Sequence, residues 1–168
     1  MLAPSDMIRL ASIAEESVVD GPGLRYVIFT QGCIRACPGC HNPQTHSFQG
    51  GKLVNIDTIF NDIKKNPLIR GVTFSGGEPF LQSNSLVNLA KRLKVIGYHL
   101  LSYTGFLFEE LLTDNNYLSF LKVLDVIIDG PFILEKKSLM LRFRGSHNQR
   151  IIDVHSSLVQ NKVILCPW

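Results

Sequence analysis

Three of the chain's four cysteines lie within eight residues, Cys33-Ile34-Arg35-Ala36-Cys37-Pro38-Gly39-Cys40, directly after the apolar run Tyr26-Val27-Ile28-Phe29-Thr30. A loop with three clustered thiols points to a metal or iron–sulfur centre. Three thiolates on a four-iron four-sulfur cluster leave one iron free to bind a molecule that reacts. Zinc is the rival, since His41 follows at once and three thiolates with one imidazole make a closed structural site. Adjacent residues seldom reach one ion, so the spacing favours the cluster. Cys166 stands apart near the carboxyl end. As a fourth ligand it would saturate the cluster and make the protein an electron carrier; the expected role is that of a small isolated thiol.

The elements that must position these thiols follow from periodicity. Residues 8–13 and 18–30 read as antiparallel strands, with turn chemistry at Asp20-Gly21-Pro22-Gly23. Ile56, Ile59, Phe60 and Ile63 mark one face of a helix that Asn55 or Asp57 can cap. Gly71–Ser75 reads as a buried strand, and Leu86, Leu89, Ala90 and Leu93 as a second helix stopped at Gly97. Residues 98–103 form a further strand. A helical stretch is expected over 107–122, broken near Asn115-Asn116, then strands over 123–128, 150–154 and 162–165. Strand alternating with helix predicts a parallel sheet with right-handed crossovers. A closed eight-unit barrel needs about 250 residues, so 168 build only an open, partial (β/α) barrel.

In such sheets ligands gather beyond the carboxyl ends of the strands. The unusual loops sit there: the cysteine loop, Ser75-Gly76-Gly77-Glu78-Pro79, Ser102-Tyr103-Thr104-Gly105 and Asp129-Gly130-Pro131-Phe132. Paired glycines permit close backbone approach to a ligand, and the proline fixes the chain after Glu78. Alone, that segment is equally an ordinary strand-to-helix turn. One unit after a three-cysteine loop, the functional reading dominates.

Composition excludes several classes. The chain is 45% hydrophobic and 18% charged, which suits a globular protein and excludes disorder. One domain spanning 1–168 is expected. Its net charge of +3 comes from scattered basic residues, not a stripe interleaved with aromatics, so nucleic acid is not expected as a partner. No apolar stretch is long enough for a bilayer. Residues 1–25 lack a secretory pattern, so a reducing, cytoplasmic location is expected.

CIRACPGC resembles the CxxxCxxC of radical S-adenosylmethionine enzymes, and SGGEP resembles their GGE motif. More narrowly, Val19–Cys33 (VDGPGLRYVIFTQGC), Cys37–Pro43 (CPGCHNP), Asp129–Phe132 (DGPF) and Arg142–Arg150 (RFRGSHNQR) resemble the activating proteins of anaerobic ribonucleoside-triphosphate reductase. Many superfamily members carry an aromatic residue before the third cysteine; here Gly39 stands there, as in these activases. The resemblance implies one four-iron four-sulfur cluster held by Cys33, Cys37 and Cys40, with adenosylmethionine chelating the open iron. It implies that Gly76, Gly77 and Glu78 position the methionine amino end, that Ser102 and Thr104 serve the ribose and carboxylate, and that Asp129 fixes polar groups. No side chain is implied as catalytic acid or base. The implied partners are the reductase, whose glycine becomes a radical, and a reduced flavodoxin-like electron donor. Activases of other glycyl-radical enzymes, such as formate lyase, are the alternative. The Arg142–Arg150 segment either docks a partner or a carboxylate, or is a solvated basic loop. His41 and Asn42 are expected to shape the cysteine loop; His46 and His99 are read as structural.

Overall fold

In the computed structural model, which describes residues 5–168, β1 (Met7–Ser17) runs antiparallel to β2 (Arg25–Thr30) and to the short β3 (Lys52–Asn55). Residues 1–4 of the expected 1–168 unit lie outside this description. From β2 the sheet continues in parallel through β4 (Gly71–Gly76), β5 (His99–Tyr103) and β6 (Val126–Asp129), and ends on the antiparallel β7 (Arg150–Asp153). The order is β3-β1-β2-β4-β5-β6-β7. Its edge strands β3 and β7 do not pair with each other, so the sheet stays open as a partial barrel. No helix among the described residues is long and apolar enough to cross a membrane.

The helices are α1 (Ile56–Ile63), α2 (Ser83–Val95), the single turn α3 (Phe108–Leu111), α4 (Asn115–Leu121) and α5 (Val154–Gln160). Asn55 caps α1 by accepting the Asp57 N–H, and Asp114 caps α4 from Asn116 and Tyr117. The expected break near Asn115-Asn116 therefore falls just earlier, over Leu112–Asp114, because Asp114 supplies the acceptor that starts a new helix.

Period-2 alternation divides the sheet into two faces. Ile28, Val72, Phe74, Leu100, Ile127 and Ile152 point into the large core shared with the helices. Leu101, Val126, Ile128 and Ile151 point the other way, into a small cluster with Tyr103, Phe143, Cys166 and Trp168. Helices thus cover one face, and the opposite face is free to build a site.

Three expected elements change. The second strand begins at Arg25 rather than residue 18, since Val18–Leu24 forms the connecting turn with Gly21 and Gly23 at positive φ. Residues 162–165 contribute one bridge, Leu165 to Ile152, rather than a strand. The strand expected from residue 123 starts at Val126, because Val123 and Leu124 close the turn after α4 through bonds to Phe120 O and Leu121 O.

Candidate functional site

β2 delivers the chain to the cysteine loop, and Gly32, at φ +102°, turns it there. The loop is laced to the segment that follows. Gly32 N–H donates to Thr45 O (2.8 Å), Cys33 N–H to His46 O (3.2 Å), and Gln31 Nε2 to Gln44 O and Ser47 O. Ala36 (φ 44°) and Gly39 (φ 71°) adopt left-handed backbone, and Cys40 N–H donates to Cys37 O. For Ala36 that conformation costs about 1–2 kcal/mol, the kind of strain retained where geometry serves function. All three thiols are free and half-buried. The N–H groups of Arg35 and Asn42 donate to Cys33 Sγ and Cys40 Sγ, each at 3.4 Å. Such N–H···S bonds are one means by which a protein sets the electronics of an iron–sulfur cluster. Burial pushes the Cys33 thiol above its ordinary range, a cost removed when a metal takes the thiolate. Among the described residues no three His, Cys, Asp or Glu side chains are gathered closely enough for a single ion.

Cys33, Cys37 and Cys40 line a cavity of about 440 Å³ at the carboxyl ends of β2, β4 and β5. Gly76, Gly77, Glu78 and Thr104 line it too, so two of the four strand-end loops meet the cysteines there, and the fourth contributes Gly130 and Phe132. That size suits a small organic molecule. His41 lies against Phe132 with ring centres 5.0 Å apart and Asn42 N–H caps Cys40 Sγ, so both shape the loop. His46 also borders the cavity, whereas His99 lies at the start of β5 against Arg25.

The glycine pair is needed for backbone against backbone. A Cβ on Gly77 would stand 2.3 Å from Gly32 O, and one on Gly76, whose φ is +98°, 2.5 Å from Thr30 N. Gly77 N–H donates to Thr30 O and Glu78 N–H to Gly32 O, both at 2.8 Å. The cysteine loop and the GGE loop are therefore one welded unit. Glu78 extends it. Its side chain is 1% exposed; Oε1 accepts from Thr104 Oγ1 (2.9 Å) and Phe80 N–H (3.2 Å), and Oε2 from Gly105 N–H (2.7 Å). Burial pushes its carboxyl up to about 7, while those three donors and Arg35 pull the other way.

Ser102 and Asp129 are not brought to the cavity. Strand parity gives the reason: both alternate with residues of the inner face and so point toward the helices. Ser102 is fully buried and donates to Tyr103 O (3.0 Å). Asp129 accepts from Phe108 N–H (2.7 Å) and from Arg150 Nε (2.9 Å) and Nη2 (2.5 Å). Arg150 also pairs with Glu109, so it is an internal anchor and not part of a docking loop. The same parity brings in residues that the motifs do not reveal. Phe29, Ser75 and Tyr103 line the cavity, one residue away from Ile28, Phe74 and Ser102 on the helix face. Arg35 and Arg144 line it as well, and the buried Nε of each has no protein partner.

A loop of three thiols opening on a cavity at the strand ends of an α/β sheet is what this site comprises, and the chain belongs to the "4Fe-4S single cluster domain" family, whose model matches residues 19–152. The chain belongs to the family of anaerobic ribonucleoside-triphosphate reductase-activating proteins. It is 37% identical over 142 residues to the protein of that name from Haemophilus influenzae, covering 80% of this chain and 90% of the relative. The corresponding protein of Enterobacteria phage T4 is 34% identical over 142 residues, with 79% and 86% covered. A pyruvate formate-lyase-activating enzyme from Staphylococcus epidermidis is 45% identical, but over 96 residues that make up 54% of this chain and 38% of that enzyme. The crystal structure of QueE from Escherichia coli aligns with 59% of this chain and 52% of that chain, at 17% identity and a TM-score of 0.47.

Proposed function

We propose that this protein cleaves S-adenosylmethionine reductively and uses the product to place a glycyl radical on an anaerobic ribonucleoside-triphosphate reductase. The observation that carries this reading is the meeting of three free thiols with the Gly76-Gly77-Glu78 loop around one cavity. Near-full-length similarity to reductase-activating proteins supports the choice of partner over a formate-lyase type.

The residues present fit the groups the reading needs. Cys33, Cys37 and Cys40 would hold a single four-iron four-sulfur cluster, with two sulfurs already accepting N–H bonds. A ligand with a carboxylate fits a cavity whose wall includes the cationic side chains of Arg35 and Arg144. When bound, the cluster supplies one electron to the sulfonium, which yields methionine and a 5′-deoxyadenosyl radical able to take a hydrogen atom from glycine. The chain's own work is positional. Gly76 and Gly77 keep the two loops in contact. Glu78, satisfied by Thr104 and Gly105, ties the cysteine side to the β5 loop; Phe29 and Tyr103 wall the cavity and limit water. No side chain acts as acid or base. The electron donor implied by the resemblance is a reduced flavodoxin-like protein, and the free thiols suit a reducing, cytoplasmic setting.

The test is anaerobic incubation of the protein, loaded with iron and sulfide, with the reductase, adenosylmethionine and a reductant. A glycine-centred radical on the reductase, with methionine and 5′-deoxyadenosine formed together, is expected. Cleavage without a radical on the reductase, or no cleavage, overturns the reading.

A further inference from the structure

Between β6 and β7 the chain forms a finger that belongs to no sheet. Lys137 and Ser146 pair as an isolated antiparallel bridge, Ser138 N–H donates to Gly145 O (3.3 Å) and His147 N–H to Lys136 O (2.9 Å). Its base is fastened. Gln149 Oε1 accepts from Gly145 and Ser146 N–H, Gln149 Nε2 donates to Gly130 O, and Asn148 Nδ2 donates to Pro131 O. Its inner side is fastened too, through Tyr103 Oη to Phe143 O (2.9 Å). Leu141, Phe143, Arg144 and Gly145 on that side form part of the cavity wall.

The tip is different. Leu139 and Met140 are 89% and 92% exposed. The β1–β2 turn presents Val18 and Val19 at 68% and 72%, and Val19 is itself a wall residue of the same cavity. Single exposed apolar residues are ordinary. Two adjacent pairs on loops that border one reaction cavity mark an interaction surface. The finger also carries Lys136, Lys137, Arg142 and Arg144 against the one acid Glu135. Among the described residues Lys136, Lys137 and Arg142 enter no ion pair.

We propose that the finger, residues 134–149, is the docking element for the protein substrate, and that it grips an extended segment of the reductase carrying apolar side chains beside acidic ones. This rests on the function proposed above. The radical must act on a residue of another protein, so that segment has to pass the cavity mouth, and the finger is the basic, apolar border of that mouth. Its inner side would face the reacting glycine while the tip holds flanking residues. Apolar anchors surrounded by charges are the usual makeup of such a contact, with the charges setting encounter rate and salt dependence.

Two double variants of the cluster-loaded protein test this, Leu139→Ser with Met140→Ser and Lys137→Glu with Arg142→Glu. All four positions are exposed, so the core is untouched. Reductase affinity is measured anaerobically by calorimetry, alongside adenosylmethionine cleavage by the activase alone with dithionite. Each pair is expected to weaken reductase binding about tenfold or more while cleavage stays within about twofold, and the charge-reversed pair is expected to lose its defect at high salt. Affinity within about twofold of the unsubstituted protein for both pairs overturns the proposal. So does a change confined to self-association, which would assign the finger to a second copy of this chain. Failure of the underlying function is separately visible, since the unsubstituted protein would then cleave no adenosylmethionine or bind no reductase.

Discussion

Each cysteine of the loop is expected to be indispensable to iron retention, because a cluster that has lost one thiolate keeps only two anchors. Cys33→Ala, assayed for iron and sulfide after anaerobic loading, is expected to hold less than about a fifth of the unsubstituted content. Cys166→Ala is expected to match the unsubstituted protein. Cys166 packs beside Ile151 and Trp168, and burial pushes its thiol up to about 11, so it stays protonated at neutral pH. Glu78 couples the site to pH. Its folded carboxyl titrates near 7 against about 4.3 in an unfolded chain. Between those values the folded protein keeps a proton that the unfolded chain has released, so stability falls as pH rises through the window and levels off above it. Glu78→Gln removes that slope. It also sets an amide N–H₂ against donors, at a cost of about 2 kcal/mol, read as a lower midpoint of thermal unfolding. For Asp129→Asn the expectation is a stability loss of about 2–3 kcal/mol, since partly buried Arg150 keeps Glu109, with adenosylmethionine affinity unchanged. Lost affinity at full stability would return Asp129 to the binding site.

At the scale of elements, the weld between the ends of β2 and β4 is the most sensitive joint. Gly77→Ala must push Gly32 O away from 2.3 Å, so the cysteine loop shifts against the GGE loop. Iron retention and adenosylmethionine affinity are expected to fall together, by about tenfold for the ligand, measured by equilibrium dialysis. Unchanged affinity would mean that the two loops act independently. Much of this architecture is legible in the sequence. β4 and β5 are short apolar runs between turn residues, and α2 carries its buried stripe at helical spacing, because burial on one face dictates both patterns. β3 is an exposed edge strand, Lys-Leu-Val-Asn, with no alternation to reveal it, and α5 is a short run of weak helix formers started by the Asp153 cap. For the site, the motifs locate the cysteines and the GGE loop. Strand parity carries the rest: counting by twos from Phe74 and Leu100 assigns Ser75 and Tyr103 to the cavity face and Ser102 to the helices.

Over the whole molecule, an open sheet needs a fastening that barrel closure would otherwise provide. Arg25 supplies it at the entry ends of β2, β4 and β5. Its Nε donates to Thr73 Oγ1 (2.6 Å), Nη1 to Pro22 O, and Nη2 to Val72 O and His99 O, with Nη1 also facing His99 Nδ1. Burial draws its pKa down to about 10, and it remains charged at neutral pH. Lysine has three donors and no planar fork, so Arg25→Lys is expected to destabilise by about 2–4 kcal/mol in denaturant melts while leaving the distant cysteine loop able to load iron. The entry ends of the strands are thus tied together, one face is packed with helices, and the mouth is left to the thiols and the glycines. The proposed function requires that a small organic cation touch metal at that mouth. Electron paramagnetic resonance of the anaerobically loaded, reduced protein, recorded with and without adenosylmethionine, tests it directly. About four irons per chain and a cluster signal that shifts on addition of the ligand are expected. A signal indifferent to the ligand, or a protein that takes up zinc and no cluster, would contradict it.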